Sequence, residues 1–330
     1  MAPRILFFGT GAVGAGYLCV LSRKIPAENI VAVCRSNYDA AAQHGLQMNS
    51  TLWGNISCKP HVVHSVDEAA ALDSSNVFDY IIITSKAIPA SPSTAQVIQP
   101  AVSERTSIVL LQNGIAIEDE YARLYPENPL ISTVVYFPAT QVSPAVIDHY
   151  ELETLLVGTY PADAPAWHKE AARDLVQLVT DCSATAKLHE DVQPQRWAKL
   201  LINASLNPIC ALSRSRDLQF LQSGEEAEQL MRDIMTEIVA VAQACGHNNL
   251  TPDSVDNGME RVKNRKPPGV EPSMMADALA GRNMEVDAIV GNVLKLAKEK
   301  RVNVPILRTT YALLKALDDS FTRSRQSSNV

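Results

Sequence analysis

The chain has 330 residues, 46% of them hydrophobic and 20% charged, and a formal net charge of −7. That length favours two domains over one core, and the composition is that of a soluble globular protein. The acidic balance leaves no basic stripe for nucleic acid, and no apolar run approaches the roughly 20 residues of a membrane span.

The N-terminus enters an apolar run with no secretory leader before it, so a cytoplasmic protein is expected. Arg4-Ile5-Leu6-Phe7-Phe8 reads as a buried strand, and Gly9-Thr10-Gly11-Ala12-Val13-Gly14 turns it into a helix opening at Ala12 or Val13. In G-x-G-x-x-G the first glycine permits the tight turn, the second admits a pyrophosphate close to the backbone, and the third lets helix and sheet approach. Free amides and the positive helix end would hold the phosphates, so Gly9 to Gly14 are read as dinucleotide contacts. A second apolar run, 29–34, ends at Arg35-Ser36-Asn37, without the acidic residue that NAD-preferring sites place there. Arg35 offers a planar cationic fork and Ser36 and Asn37 offer neutral donors, which suits the 2′-phosphate of NADP(H).

Further strands are predicted at 46–49, 60–64, 79–84, 107–111, 130–137, 145–149, 153–158 and 184–188, and helices at 12–23, 38–43, 67–72, 93–101, 117–124 and 165–180. Such alternation implies parallel βαβ units with right-handed crossovers, while the shorter runs of 143–158 suit antiparallel pairing. From about Val192 the strand signals vanish. Apolar spacings of three and four predict helices at 192–212, 223–246, 252–262, 283–300 and 304–318, with Gly281 and Gly291 as weak points of the fourth. The segment 263–273, with three prolines, reads as a loop inside this region.

The fold class is therefore α/β: an N-terminal Rossmann-type doubly wound sheet over 1–189, then an all-α domain over 190–330 whose polar tail, 322–330, is expected to be disordered. The six cysteines lack any C-x-x-C pair and read as small buried hydrophobes. His61 and His64 have no third ligand near in sequence, so no metal is expected.

Three segments carry candidate chemistry. Thr84-Ser85-Lys86-Ala87 and Gln112-Asn113-Gly114 follow central strands, and ligands bind outside the carboxyl ends of parallel strands. Lys86 and Asn113 should therefore face the same crevice as the glycine turn. In the helix beginning near Val192, Lys199, Asn203 and Asn207 recur at i, i+4 and i+8, a polar stripe on one face of an apolar helix. A stripe of that kind suits the wall of a wet cleft or a plain solvated face.

These residues resemble those of the ketopantoate reductases (2-dehydropantoate 2-reductases) over nearly the whole length. The likeness rests on Gly9–Gly14, Ser85-Lys86-Ala87, Gln112-Asn113-Gly114, the block 197–208, Pro272-Ser273-Met274-Met275-Ala276-Asp277, and Met284-Glu285-Val286-Asp287. It implies an NADP-dependent oxidoreductase acting on CH–OH, reducing a small 2-keto acid to the 2-hydroxy acid within pantothenate biosynthesis. The apolar helices 223–246 and 304–318 suit packing within the domain or across a dimer, so a monomer or homodimer is expected. Laid on this chain, the resemblance makes Lys199 the general acid and Glu285 the carboxylate facing it on the cofactor side. Asn113 would orient the substrate near the nicotinamide, Lys86 and Ala139 would touch the cofactor, Ser273 would bind the substrate carboxylate, and Asn203 and Asn207 its hydroxyl.

Two segments depart from the family pattern. Ser213–Asp217 stands where an amide residue usually contacts substrate, and Asp217 would repel a carboxylate if it faced inward. Segment 136–150 reads Tyr-Phe-Pro-Ala-Thr-Gln-Val-Ser-Pro at its start where glycines are usual. A different keto, hydroxy or imino acid is thus the alternative substrate, and a non-catalytic NADP(H) sensor the alternative class.

Overall fold

The computed structural model describes residues 2–72 and 77–328. The chain divides into two compact units. One comprises the residues up to Lys86, Ala90–Gln112 and Glu118–Val192; the other comprises Ala87–Pro89, Asn113–Ile117 and the chain from Gln193 onward.

In the first unit the strands are β1 (Ile5–Phe8), β2 (Ile30–Val33), β3 (Leu46–Ser50), β4 (Gly54–Cys58), β5 (His61–Val63), β6 (Tyr80–Ile83), β7 (Ser107–Leu110), β8 (Leu130–Tyr136), β9 (Ala139–Ser143), β10 (Val146–His149), β11 (Thr154–Thr159) and β12 (Ala186–Leu188). Among the described residues they form a sheet of eight, ordered β12-β11-β8-β7-β6-β1-β2-β5, and a sheet of four, ordered β4-β3-β10-β9. Strands β5, β2, β1, β6, β7 and β8 are all parallel, the doubly wound arrangement expected from the sequence. Every residue of β2, β6 and β7 is buried, because helices cover both faces of such a sheet. The strand order reverses between β1 and β6, and that switch point is where open α/β sheets take ligands.

The four-stranded sheet was only half legible. Strands β4 and β9 were not predicted, and β10 pairs antiparallel with β9 but parallel with β3. It packs against the helix Ala12–Leu21, which is buried from Gly14 to Leu21. Gly16 is needed there, since a Cβ would strike the ring of Phe137. The ring of His149 lies between those of Phe137 and Trp53, at centroid distances of 4.1 and 5.2 Å. Burial holds this imidazole below its ordinary value, so the histidine of segment 136–150 is a neutral packing residue. The predicted helix 93–101 splits into Thr94–Val97 and a 3-10 turn over Gln99–Ala101 at Pro100, which has no amide to continue the ladder.

The second unit is helical, built around Gln193–Ser213. Pro194 lies in its first turn, where a missing amide costs nothing, and Arg214 ends it in the left-handed region at φ 55°. Trp197, Leu201 and Ala204 bury against Met231, Ile234 and Ile238 of the helix Glu225–Ala244. Two expectations are corrected here, and one helix is added. The helix predicted at 283–300 begins only at Val286 and opens with a π-turn over Asp287–Gly291 before Asn292–Lys300. The loop expected at 263–273 lies between the helices Pro252–Lys263 and Ser273–Leu279, the second of which was not predicted. Residues 322–328, expected to be disordered, continue the helix Pro305–Ser328; the Arg325 guanidinium donates to the Gly281 carbonyl at 2.6 Å and holds that end down.

Candidate functional site

The glycine turn has the features a pyrophosphate requires. Gly9 lies at φ 101°, and a Cβ there would sit 2.5 Å from the Ser85 amide nitrogen. A Cβ on Gly14 would collide with the Gly9 carbonyl and the Thr84 hydroxyl, which themselves hydrogen-bond. Gly11, by contrast, has no heavy atom within 4 Å of where its Cβ would stand. The first turn of the helix Ala12–Leu21, with Thr10, Ala12 and Val13 around it, carries no acidic side chain and receives no side-chain cap, which leaves its amides for an anion. Ser85 Oγ is buried beside Gly9 without a hydrogen-bond partner in the protein. An orphaned hydroxyl and an open cradle fit a bound phosphate group.

The end of β2 is divided in its roles. The Asn37 amide donates to the Thr10 carbonyl at 2.7 Å and exchanges hydrogen bonds with Gln141 at 3.0 Å each way. Both of its N–H groups are thereby used to lock the glycine turn, a correction to its reading as a free donor. Arg35 and Ser36 are exposed. Gln112 likewise serves the turn, donating to the Ser85 carbonyl at 2.6 Å. Lys86 is exposed and Ala139 is partly buried at the start of β9.

In the second unit, three predicted residues come together although 172 positions separate Asn113 from Glu285. The Lys199 ammonium donates to Asn113 Oδ1 at 2.9 Å, and Asn113 Nδ2 donates to Glu285 Oε2 at 3.2 Å. The other carboxylate oxygen accepts from the Ala87 amide at 2.9 Å. A single amide, donating to the carboxylate and accepting from the ammonium, thus has its orientation fixed by both.

The π-turn builds this arrangement. It presents the Ala288 carbonyl to the Ile115 amide at 3.3 Å, while Asn292 Nδ2 donates to the Ile115 carbonyl at 2.7 Å. The backbone of Ala288 comes so near that Gly114, at φ 97°, admits no side chain. On the other flank, the Met284 amide donates to Asp318 Oδ1 at 2.7 Å, and Tyr311 OH donates to Asp287 at 2.7 Å. Glu285 therefore projects from a stretch pinned on both sides. π-Turns of one step recur at functional sites for this reason: they re-aim the groups next to them.

The electrostatics of the cluster are uneven. The Lys199 ammonium is pulled down to about 8: burial does most of this, the neighbouring Arg196 guanidinium adds to it, and Glu285 opposes both. Arg196 is only 3% exposed and donates to the Gly114 carbonyl at 2.6 Å. The sequence held one signal for it, a charged residue directly before Trp197 in a core-facing stretch, at i−3 from Lys199. The polar stripe continues inward: Asn203 is partly buried and Asn207 is buried. Ser273 is exposed at the start of the helix Ser273–Leu279.

Asp217, feared as a source of repulsion, is fully buried and committed elsewhere. It pairs with Arg265, and its Oδ1 accepts from the amides of Leu218 at 2.6 Å and Val270 at 2.8 Å. Gly269 passes so close that a Cβ would lie 2.5 Å from Asp217 Oδ1. The residue clamps the loop before Ser273.

Comparison with known proteins agrees with this picture. Residues 5–162 match the family model of ketopantoate reductase PanE/ApbA, and residues 191–318 match that of its C-terminal part. An uncharacterized protein of Saccharomyces cerevisiae is 29% identical over 94% of this chain and 92% of its own length. The 2-dehydropantoate 2-reductase of Nostoc sp. is 27% identical over 94% of this chain and 93% of its own. Among solved structures, 2-dehydropantoate 2-reductase from Methylococcus capsulatus is 30% identical with a TM-score of 0.83, covering 96% of this chain and 97% of that one. A D-mandelate dehydrogenase solved with NADH and anilino(oxo)acetate shares the fold at 19% identity and a TM-score of 0.83, covering 97% of this chain and 99% of that one. With models matching both parts of the chain, the protein belongs to the ketopantoate reductase family, oxidoreductases of the alcohol–carbonyl pair that use a nicotinamide cofactor.

Proposed function

We propose that the protein reduces a 2-keto acid to the 2-hydroxy acid with NADPH, and that ketopantoate is that acid, with pantoate as product. When bound, the reduced nucleotide supplies the hydride. The observation that carries the reading is the hydrogen-bonded line Lys199–Asn113–Glu285.

Hydride addition to a carbonyl builds negative charge on its oxygen, and a positioned proton donor is worth on the order of 10²–10⁴ in rate. An ammonium held near 8 is still protonated at neutral pH, yet it gives up its proton far more readily than an ordinary lysine. Lys199 is that donor. Asn113 fixes its direction, and Glu285 keeps enough proton affinity in it for the charged form to persist. Asn203 and Asn207 contact the substrate hydroxyl, and Ser273 its carboxylate. Because Asp217 is spent on Arg265 and two amides, it does not oppose a carboxylate substrate.

For the cofactor, Gly9, Thr10, Gly11, Ala12, Val13 and Gly14 hold the pyrophosphate, with Lys86 and Ala139 as further contacts. Arg35, exposed and at the strand end where an acid would select NAD, gives the preference for the 2′-phosphate of NADP(H). On this reading the enzyme acts in the cytoplasm in pantothenate biosynthesis, on a small-molecule substrate, as a monomer or homodimer.

The second reading keeps the reaction and changes the acid. It is favoured by segment 136–150, whose residues depart from the family pattern and which carries β9 and β10. A panel of 2-keto acids, ketopantoate included, assayed for NADPH consumption separates the two. Ketopantoate should give the highest kcat/KM, and Lys199→Ala should lower turnover by orders of magnitude while NADPH still binds. A panel in which another acid is preferred moves the substrate. Undiminished turnover by Lys199→Ala removes the donor.

A further inference from the structure

We propose that Arg196 is a positioning residue of this site: its guanidinium fixes the Gly114 carbonyl, and with it the Asn113 amide, while its permanent charge makes Lys199 a readier proton donor. The inference rests on Lys199 being the donor in the reading above.

The geometry assigns Arg196 the first task. Asn113 is held between Lys199 and Glu285 only if the backbone that follows it cannot turn. That backbone, Gly114-Ile115, is held by three hydrogen bonds: Arg196 to the Gly114 carbonyl at 2.6 Å, the Ile115 amide to Ala288 at 3.3 Å, and Asn292 to the Ile115 carbonyl at 2.7 Å. Gly114 is the least restrained residue type in the chain, so a bond at its carbonyl decides the neighbouring peptide plane. Of the three, Arg196 acts nearest to Asn113, and as a charged donor it makes the strongest bond.

The second task follows from helix geometry. Arg196 and Lys199 stand at i and i+3 of the helix Gln193–Ser213, neighbours on its surface. A like charge beside an ammonium disfavours its protonated form, and with only 3% of Arg196 exposed, water screens that repulsion poorly. The charged groups facing Lys199 are thus Arg196 on its own helix and Glu285 from the stretch before the π-turn, acting in opposite directions. Arginine suits this post better than lysine, since it stays charged when buried.

The test reads Lys199 directly. The full-length protein is labelled at trace level with acetic anhydride across pH 6–11, and the Lys199 peptide is quantified by mass spectrometry. In Arg196→Met the labelling midpoint is expected to rise by on the order of one pH unit towards that of an ordinary lysine. In Arg196→Lys, which keeps a charge but loses the planar fork, the midpoint should stay close to that of the parent protein. Its kcat should still fall several-fold, because the Gly114 carbonyl is released. Should Arg196→Met fail to fold, Arg196→Gln carries the same expectation. An unchanged midpoint in the neutral variant, or an equal rise in Arg196→Lys, overturns the inference. Full turnover by Lys199→Ala overturns the donor reading instead, and leaves the effect of Arg196 on labelling in place.

Discussion

Two charged side chains of the helical unit, Asp217 and Lys199, are treated in opposite ways. Asp217 meets Arg265 and two backbone amides, so its charge is paired and the loop before Ser273 is clamped. Lys199 meets a neutral acceptor in Asn113, a carboxylate reached through that amide, and a second cation beside it. The first arrangement keeps a charge where it is. The second keeps a proton ready to leave. Buried groups whose neighbours agree are structural, and those whose neighbours pull against one another are where chemistry is found.

The contrast can be broken from either side. The largest effect should come from Lys199→Met. Turnover should fall by roughly 10²–10⁴, but the protein should become more stable at pH 7, by about 1 kcal/mol. The sign is set by the direction of the shift. The folded-state proton affinity of Lys199 lies below that of an unfolded lysine, so burial of the charged form is a cost at neutral pH. Stability rises as pH climbs from about 8 towards the ordinary lysine value, where only the unfolded chain still holds the proton. Thermal unfolding followed from pH 7 to 10 should show that rise in the parent protein and a flatter profile in the variant. Asp217→Asn should behave in the reverse manner. It leaves Arg265 without its partner anion and should cost about 3–5 kcal/mol in urea unfolding, with kcat per folded molecule altered far less.

Glu285→Gln sharpens the comparison from within the cluster. Removing the group that holds the Lys199 proton in place should move the alkaline limb of the kcat profile to lower pH, the opposite of what removal of Arg196 does. The smallest effect belongs to the nucleotide end: Arg35→Gln should weaken NADPH use about tenfold and leave NADH use nearly unchanged, read from the two KM values. Equal losses for both nucleotides would take Arg35 out of 2′-phosphate recognition.

How much of this was legible in the sequence depended on the range of the interactions. The glycine turn was readable because its determinants are local: a strand, a φ of 101° at Gly9 and a helix opening within a few residues. The residues of the Lys199 cluster were named from the resemblance and from their spacing, but what joins them was not visible. The π-turn at Asp287–Gly291 breaks the 3.6-residue period on which the prediction of one helix over 283–300 was based. Arg196 was hidden for a different reason. Its partner is a backbone carbonyl 82 positions away, and no side-chain pattern announces such a bond. Asn37 looked like a cofactor donor because its type suits that task, whereas its amide is consumed by Thr10 and Gln141. The tail beyond Phe321 looked unstructured by composition, yet Arg325 finds the Gly281 carbonyl and the helix runs on.

The most direct test of the account is the pH profile of kcat for NADPH-dependent reduction of ketopantoate by the parent protein. If Lys199 gives the proton, kcat should fall tenfold per pH unit above about 8, as the ammonium is lost. A kcat that stays level to pH 10, with ketopantoate turning over normally, would contradict it.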